Sequence, residues 1–301
     1  MSALVSVLMP VYNTANYLVE AIDSILNQSY SHFEFIIIND GSTDESLSIL
    51  EKYARQDARI KVVSRENKGL IKTLNEGLNL AVGEYIARMD ADDISLPLRF
   101  EKQLKYLEEH LDCIAVGTLA QLIDSDGDII GPMGGLQTHS EIDNAHLSGK
   151  GGAIVHPSAM IRREILFESG GYLDEFENAE DLDLWLRLAE IGKLANIPET
   201  LFLYRQHLDS IGYTKRLSQF ESAKKAVGKA HKRRGIDSSS FPFFFEILTK
   251  PKRVDIYTKW GWWALNGSNI MTARKYARKS LLSDPFNWQA WKLMACCIRG
   301  Y

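Results

Sequence analysis

Carboxylates are concentrated in one short stretch of the sequence, Met89-Asp90-Ala91-Asp92-Asp93, which directly follows an apolar run. Aspartates this close together repel one another, so such a cluster usually has a cation to offset its charge. A hard divalent ion with open coordination positions suits the phosphates of a ligand. The alternative is an Asp-rich turn that caps the helix expected after Pro97, and the motif alone does not decide between the two.

Two further carboxylate positions could do chemistry. Asp40 begins the turn Asp40-Gly41-Ser42-Thr43-Asp44, where its side chain either binds a ligand or forms an Asx turn with Gly41. Glu180 and Asp181 open a helical pattern, and acidic residues are favoured there by the helix dipole. A carboxylate in that position could also take a proton from an attacking hydroxyl, and the helix N-terminus would keep Asp181 ionised.

The elements that must position these carboxylates alternate between strand and helix. Apolar runs predict strands at Val5–Met9, Phe35–Ile38, Ile60–Val63 and Tyr85–Met89, with helical patterns between them. Strands separated by one helix each imply βαβ crossovers and a doubly wound, mostly parallel sheet flanked by helices. In such sheets ligands bind at the carboxyl ends of the strands, which here carry Tyr12, Asp40 and Asp90.

The chain after the fourth strand is less regular. A helix is expected from Pro97 to about His110, followed by two strands, Ile114–Leu119 and Leu122–Ile130, with a break at Asp126-Gly127-Asp128. The Gly-rich segment Gly131–Gly152 predicts a loop over the site. From about Leu217 onward the sequence predicts helices only.

Composition limits the class of protein. The length of 301 residues suits one α/β domain with an appendage, and 45% hydrophobic and 25% charged residues are typical of a globular protein. No apolar run approaches the roughly 20 residues that cross a bilayer. Leu4–Val11 lacks the basic flank of a signal peptide. Three cysteines without disulfide or metal-site spacing indicate a reducing, cytoplasmic compartment.

Charge divides the chain into two regions. Residues 1–212 contain 17 Lys and Arg against 34 Asp and Glu, whereas residues 213–301 contain 18 against 5. A difference of this size indicates that the two regions meet different partners. We predict an α/β domain over residues 1–212 and a basic, helical, Trp-rich region over residues 213–301.

The basic region is also rich in aromatic residues. It holds Trp260, Trp262, Trp263, Trp288 and Trp291, and the cluster Phe241-Pro242-Phe243-Phe244-Phe245. Such a composition suits the anionic inner face of a plasma membrane, to which the protein would bind peripherally. The acidic first region argues against nucleic acid. The alternative is a helical hairpin similar to a tetratricopeptide repeat, which would pack on the first domain or on a second subunit of a homo-oligomer.

Eight short segments, taken in order, resemble the motifs of family 2 glycosyltransferases of the GT-A fold. They are Val5–Asn13 with Ser24–Tyr30, Glu34–Asp44, Arg65–Leu70, Gly83–Asp93, His156-Pro157-Ser158, and Gly170-Gly171-Tyr172 with Glu180–Trp185. The resemblance covers about residues 4–210. It implies a GT-A nucleotide-sugar-binding catalytic domain, and Asn39 departs from the family's commoner Asp-Asp-Gly-Ser.

The resemblance also implies a role for individual residues. Asp40 would accept a hydrogen bond from the base of the nucleotide, with Pro10 and Tyr12 as walls. Asp92 would bind Mn²⁺ or Mg²⁺ directly, and Asp90 would contact the ribose or the metal. Asp181 would be the general base. Residues implied for the sugar and the diphosphate are Arg88, Gly171, Tyr172, Glu180 and Arg205, and His207 is a further candidate metal ligand.

The activity implied is transfer of a sugar, with inversion, from a nucleotide-diphosphate donor carrying UDP to an acceptor hydroxyl. The acceptor would be a sugar or a lipid-linked molecule in the synthesis of a surface polysaccharide or glycolipid. One alternative is a sugar-phosphate nucleotidyltransferase, but Pro10-Val11-Tyr12-Asn13 is not the Gly-rich phosphate loop that such an enzyme needs. The other is a non-catalytic scaffold of the same fold, which the intact Asp92 and Asp181 disfavour.

Overall fold

The computed structural model describes residues 3–208, 210–237 and 251–299, so the Phe241–Phe245 cluster lies outside the described residues. The chain forms two compact units. Of the described residues, the first contains 3–120, 134–202 and 218–237, and the second contains 121–133, 203–208, 210–217 and 251–299. The predicted boundary after residue 212, between a catalytic domain and a helical region, stays a prediction. The compact units show which residues pack together, not which region functions by itself.

The described strands form a nine-stranded sheet in the order β3-β2-β1-β4-β8-β6-β9-β5, with β7 paired to β6. Their bounds are β1 Val5–Val11, β2 Phe33–Asp40, β3 Ile60–Arg65, β4 Tyr85–Arg88, β5 Ile94–Ser95, β6 Cys113–Ile123, β7 Ile129–Met133, β8 Met160–Arg162 and β9 Lys193–Arg205. The pairs β1–β2, β1–β4 and β2–β3 are parallel, whereas β8 is antiparallel to β4 and β6. The predicted α/β class with a mostly parallel sheet is confirmed.

Helices cover this sheet in the first unit. They are α1 Ala15–Leu26, α2 Ser46–Gln56, α3 Leu70–Leu80, α4 Arg99–Glu109, α5 His139–Leu147, α6 Arg163–Glu168, α7 Glu180–Leu188 and most of α9 Arg216–Arg234. In α1, Leu18, Ala21, Ile22 and Ile25 are buried, as the helical repeat requires. Every residue of β2 is buried, which is typical of a central parallel strand. Because β2, β1 and β4 are neighbours in the sheet, their ends lie side by side.

Ion pairs within the first unit hold α9, where part of the basic surplus of residues 213–301 lies. Lys229 Nζ lies 2.6 Å from a Glu175 carboxylate oxygen. Arg234 donates to Asp143 at 2.7 Å and to Glu190 at 3.0 Å. The basic character of α9 is therefore partly neutralised by acidic residues of the α/β region.

The second unit contains the hairpin of β7, the short α8 Ile211–Thr214, and three helices, α10 Arg253–Asn266, α11 Ile270–Ser283 and α12 Trp288–Arg299. Its core joins Leu122 and Ile130 to Ile256, Trp260 and Tyr276. Three of the tryptophans are thus accounted for by helix packing, since Trp260 is buried and Trp262 and Trp263 are partly buried against apolar clusters. None of the described helices is long and apolar enough to cross a membrane.

The break predicted at Asp126-Gly127-Asp128 is confirmed, because the chain reverses at residues 124–128, where Asp124 Oδ1 accepts the N–H groups of Asp126 and Asp128 at 2.9 Å. Two local predictions were wrong. Ile114–Leu119 and Leu122–Ile130 are not the two strands, because β6 runs without interruption from Cys113 to Ile123 and β7 begins at Ile129. Gly131–Gly152 is only partly a loop, because Thr138 and Glu141 form a capping box that starts α5.

Candidate active site

Hydrogen bonds join the loop after β1 to the turn that precedes α2. Asn13 adopts a left-handed conformation with φ of 53°. Its N–H donates to Ser42 Oγ at 3.0 Å, and its Oδ1 accepts the N–H of Thr43 at 2.8 Å. Tyr12 beside it is 52% exposed, and Pro10 is half-buried. An exposed aromatic ring on a fixed loop is available for stacking, and its contact with a base stays a prediction.

Asp40 lies at the end of β2, and its carboxylate is held by the segment before α3. Oδ1 accepts the N–H of Lys68 at 2.7 Å, and Oδ2 accepts the N–H of Gly69 at 3.0 Å. The Arg65 guanidinium forms an ion pair with the same carboxylate. Asp40 therefore joins two loops at the sheet edge, a contact that the sequence did not predict. Its bond to a nucleotide base stays a prediction.

The acidic turn after β4 brings three carboxylates together. Atoms of Asp90, Asp92 and Asp93 all lie within 4.8 Å of one another, and Asp93 is buried. Oxygen donors at this spacing fit one hard divalent cation after small side-chain rotations. Burial raises the pKa of Asp90, with a further contribution from the Asp92 charge, while Arg88 opposes the rise. A cation would relieve the cost of holding these charges together.

Two buried arginines fix this turn. Arg88 donates through Nη2 to Asp90 Oδ1 at 2.7 Å and also donates to the Met89 carbonyl. Arg99, at the start of α4, donates to the carbonyl oxygens of Arg88 and Pro157, both at 3.0 Å. Burial lowers the pKa of Arg99 to about 9, although the Asp93 carboxylate opposes the shift. Arg88 therefore holds a carboxylate of the turn in place, whereas its contact with a phosphate stays a prediction.

The structure brings Glu180 and Asp181 close to this turn. Burial, followed by the charge of Asp181, raises the pKa of Glu180 to about 7. Burial also raises the pKa of Asp181, although its Oδ1 accepts the N–H of Leu182 at 2.7 Å, and Asp90 adds to the rise. Burial thus opposes the stabilisation of the Asp181 carboxylate by the helix N-terminus, and the ionisation of Asp181 stays a prediction. A carboxylate with a raised pKa is a better proton acceptor.

Tyr172 and Gly171 line the approach to these carboxylates. The Tyr172 hydroxyl lies 2.8 Å from His156 Nε2, and burial raises its pKa. Asn75 holds the backbone of Tyr172 from both sides, because it accepts the Tyr172 N–H at 2.9 Å and donates to the Tyr172 carbonyl at 2.7 Å. Burial and the positive charge of Arg88 lower the pKa of His156, so this imidazole is neutral.

Arg205 and His207, the remaining predicted site residues, lie in the second unit. Arg205 is buried and donates through Nη1 to the Asp124 carbonyl at 3.0 Å. The His207 N–H donates to Ser210 Oγ at 3.2 Å. Both residues therefore have structural contacts in their own unit, and their roles at the diphosphate and the metal stay predictions.

Sequence reasoning missed several residues that support the site. The sequence indicates no role for His156 beyond its place in the His156-Pro157-Ser158 motif, and none for Arg65, Asn75 or Arg99. A long-range partner carries no local signal, since Asn75 and Tyr172 are 97 positions apart. Only the order of the motifs along the chain indicated that these segments meet.

Comparisons with known proteins agree with this geometry. Residues 6–169 match the family model described as glycosyl transferase family 2. An O-antigen biosynthesis glycosyltransferase, WbnJ, of Escherichia coli is 38% identical over 237 residues, covering 77% of this chain and 91% of the relative. An uncharacterized glycosyltransferase of Haemophilus influenzae is also 38% identical, over 233 residues, covering 74% of this chain and 71% of the relative.

Two solved structures share the fold. TarS residues 1–349 of S. aureus, in complex with UDP-GlcNAc, align with a TM-score of 0.63 at 16% identity, covering 97% of this chain and 79% of that one. The mannosyltransferase PcManGT of Pyrobaculum calidifontis, in complex with GDP-Man and Mn²⁺, aligns with a TM-score of 0.58 at 18% identity, covering 99% and 81%. The predicted GT-A fold is thereby confirmed.

Proposed function

The chain belongs to glycosyl transferase family 2 and is a glycosyltransferase, and we propose that it transfers a sugar, with inversion, from a UDP-sugar to an acceptor hydroxyl. The observation that carries this proposal is the grouping of the Asp90, Asp92 and Asp93 carboxylates beside Arg88, Glu180 and Asp181. One end of this group suits a metal-bound diphosphate, and the other supplies a carboxylate of raised pKa.

Each step of the transfer has a residue to perform it. The acceptor oxygen attacks the anomeric carbon while the bond from that carbon to the diphosphate oxygen breaks. The proton of the acceptor hydroxyl passes to the Asp181 carboxylate, and the nucleoside diphosphate leaves with the bonding electrons. Arg88 holds Asp90 in place through its 2.7 Å hydrogen bond. With Asp92 as the principal ligand, bound Mn²⁺ or Mg²⁺ would offset the charge that develops on the leaving diphosphate.

The nucleotide would be bound at the ends of β1 and β2. The exposed Tyr12 ring offers a stacking face, Pro10 forms a wall, and Asp40 accepts from the base. Asp40 Oδ1 accepts from both Lys68 and Arg65, whereas Oδ2 accepts from Gly69 and has a second lone pair for another donor. Gly171, Tyr172 and Glu180 would face the donor sugar, with Arg205 at the diphosphate and His207 at the metal.

The acceptor we propose is a sugar or a lipid-linked sugar in surface polysaccharide or glycolipid synthesis. The support is the similarity to WbnJ, a glycosyltransferase of O-antigen biosynthesis. A role in the synthesis of a surface polysaccharide or glycolipid would place the protein in the cytoplasm, at the inner face of the plasma membrane. Whether the chain acts alone or as a homo-oligomer does not alter the chemistry assigned to these residues.

The test is release of nucleoside diphosphate from a panel of UDP- and GDP-sugars, with Mn²⁺, Mg²⁺ or EDTA. We expect UDP release from a UDP-sugar that depends on metal and is lost in Asp181→Asn. That variant should retain UDP-dependent thermal stabilisation, because a ligand that binds only the folded state raises its melting temperature. Asp92→Ala should lose the metal-dependent part of this stabilisation. Release of inorganic pyrophosphate from UTP and a sugar phosphate would favour a nucleotidyltransferase. A well-folded protein that no nucleotide stabilises would be a scaffold.

A further inference from the structure

The last helix, α12, has two apolar faces. Its inner face packs in the second unit through Ala290, Leu293 and Cys297, which are buried. On the opposite face, Trp288, Trp291 and Ile298 are 64%, 56% and 71% exposed. Their spacing of three and seven residues places them on one side of the helix. The buried inner face is enough to hold the helix to its own unit, so packing within the unit does not account for the exposed apolar side chains.

The neighbouring helix, α11, repeats this arrangement. Its inner face buries Ala273, Tyr276 and Ala277, whereas Met271 and Leu282 on its outer face are 79% and 85% exposed. Arg274 and Arg278 lie between them on the same face and are also exposed. In the turn that joins the two helices, Phe286 is 96% exposed. Large apolar side chains are thus presented by both helices and by the turn.

The charged residues of α11 and α12 are all basic, and of these Lys275 is neutralised by its ion pairs with Asp124, Asp126 and Asp128. Residues 256–301 contain seven Lys and Arg and a single acidic residue, Asp284. Neither α11 nor α12 contains an acidic residue. On α12, the Lys292 ammonium lies 5.9 Å from the Trp288 ring, which combines a cation with an aromatic face. Two copies of such a surface would repel each other. A bilayer with anionic headgroups would attract the basic residues, and its apolar interior would accept the exposed apolar side chains.

We propose that the outer faces of α11 and α12 and the turn between them dock on a bilayer that contains anionic lipids. Phe286, Trp288, Trp291 and Ile298 would enter the headgroup region, where aromatic rings are favoured. Arg278 and Arg299 would contact lipid phosphates. This attraction acts over about 8 Å at physiological ionic strength. The α11–α12 outer surface does not depend on the identity of donor or acceptor, so it can be tested without either.

The experiment is sedimentation of the full chain with vesicles of phosphatidylcholine alone or mixed with phosphatidylglycerol. We expect binding to the mixed vesicles that weakens as salt is added. Phe286→Ser/Ile298→Ser and Arg278→Glu/Arg299→Glu should each reduce the partition coefficient by about tenfold or more. Matched controls in the first unit are Leu111→Ser, at a residue that is 80% exposed, and Lys52→Glu/Arg55→Glu. These controls should bind like the wild type.

A second measurement identifies the contacting residues. Lipids brominated on their acyl chains should quench the tryptophan fluorescence of the wild type, and quenching should fall in Trp288→Phe/Trp291→Phe. Absence of binding to mixed vesicles, or of quenching by bromine, overturns the proposal. So does an equal loss in the controls. If the wild type is a dimer by light scattering and Phe286→Ser/Ile298→Ser is a monomer that still binds vesicles, a second copy covers this surface instead.

Discussion

Glu180 and Asp181 are neighbours in the sequence, but their surroundings differ. Glu180 is 8% exposed, and its pKa is raised to about 7 by burial and by the charge of Asp181. Asp181 is half-buried at the first turn of α7 and accepts the N–H of Leu182. A proton on one of these two carboxyl groups avoids placing two negative charges together. This arrangement suits a site in which one carboxylate accepts a proton and the other donates a hydrogen bond.

Glu180 should make the metal-free protein less stable as the pH rises. Its pKa is higher in the folded state, about 7, than the ordinary 4.5, so the folded state binds more protons between these values. The stability that Glu180 contributes is present below pH 4.5 and is lost as the pH rises through 7. Glu180→Gln should therefore gain stability relative to the wild type across this window. The gain should reach at most about 3 kcal/mol, from about 1.4 kcal/mol for each pKa unit.

Urea unfolding at several pH values, in EDTA, measures this difference. Glu177→Gln is the matched control because Glu177 is an exposed glutamate three positions earlier. The free energy of unfolding of the control should differ from that of the wild type by the same amount at every pH. A free-energy difference between Glu180→Gln and the wild type that does not change with pH would contradict the raised pKa.

Gly170 and Gly171 provide a comparison of strain with steric conflict. Both have positive φ, 86° and 63°. A Cβ at Gly170 would meet no atom within 4 Å, whereas a Cβ at Gly171 would lie 2.5 Å from Asn75 Oδ1. Gly170→Ala should therefore cost about 1 kcal/mol, for the left-handed conformation alone. Gly171→Ala should cost about 1–3 kcal/mol more, as for other overpacked sites.

The Gly171 substitution should also lower the rate of transfer, because Asn75 holds the backbone of Tyr172. Urea unfolding and turnover of the preferred donor, measured on both variants, test the two effects. If Gly170→Ala and Gly171→Ala were equally stable and equally active, the contact with Asn75 would have no role in shaping the site.

At this scale the candidate site residues have signals in the sequence, whereas the contacts that hold them do not. Asp90, Asp92 and Asp181 carry local signals, because each follows a strand or opens a helix in a motif. The bonds from Lys68 and Gly69 to Asp40 arise from the path of a loop 28 and 29 positions away. The pKa of Asp181 depends on burial, which is a property of the folded chain. Neither could be obtained from residue spacing.

At the scale of elements, the hairpin between β6 and β7 is joined to α11 by one lysine. Lys275 Nζ lies 2.6, 2.7 and 2.6 Å from carboxylate oxygens of Asp124, Asp126 and Asp128. The Asp124 side chain is fully buried, and the Tyr276 hydroxyl donates to it at 2.7 Å. A tethered ammonium thus occupies the position that a metal ion would take among three carboxylates. Asp126 and Asp128 are exposed, so most of the stabilisation depends on Asp124.

Lys275→Met should destabilise the second unit by about 3 kcal/mol, because it leaves Asp124 buried without its cation. Arg278→Met, at an exposed position of the same helix, should change the stability by less than about 0.5 kcal/mol. Asp124→Asn should recover part of the loss in the Lys275→Met background, since it removes the uncompensated charge. Urea unfolding of the four proteins in this cycle measures the coupling. Strictly additive losses would show that Lys275 and Asp124 do not stabilise each other.

The elements that the sequence predicted well are those with a simple repeat. The strands β1 to β4 and the helices between them follow apolar periodicity. The turn of the β6–β7 hairpin was predicted from Asp126-Gly127-Asp128, whereas the end of a strand at Leu119 was wrong because β6 continues to Ile123. The capping box of α5 has a sequence signal, Thr138 with Glu141, but the flanking glycines favoured a loop. In α5, local side-chain bonds decided the structure.

For the whole molecule, hydrogen exchange can test all the assigned roles together. Binding of a UDP-sugar with Mn²⁺ should slow amide exchange at the ends of β1 and β2, at residues 89–93 and at residues 170–182. The reason is that binding raises the free energy of local opening wherever the ligand contacts the chain. Residues 203–208 should be protected only when metal is present, if Arg205 and His207 act as proposed. In Asp92→Ala, nucleotide-dependent protection at residues 11–14 should persist while that at 89–93 is lost. Protection confined to the helices of residues 253–299, with none at the acidic turn, would place nucleotide binding elsewhere and overturn the assignment of Asp92.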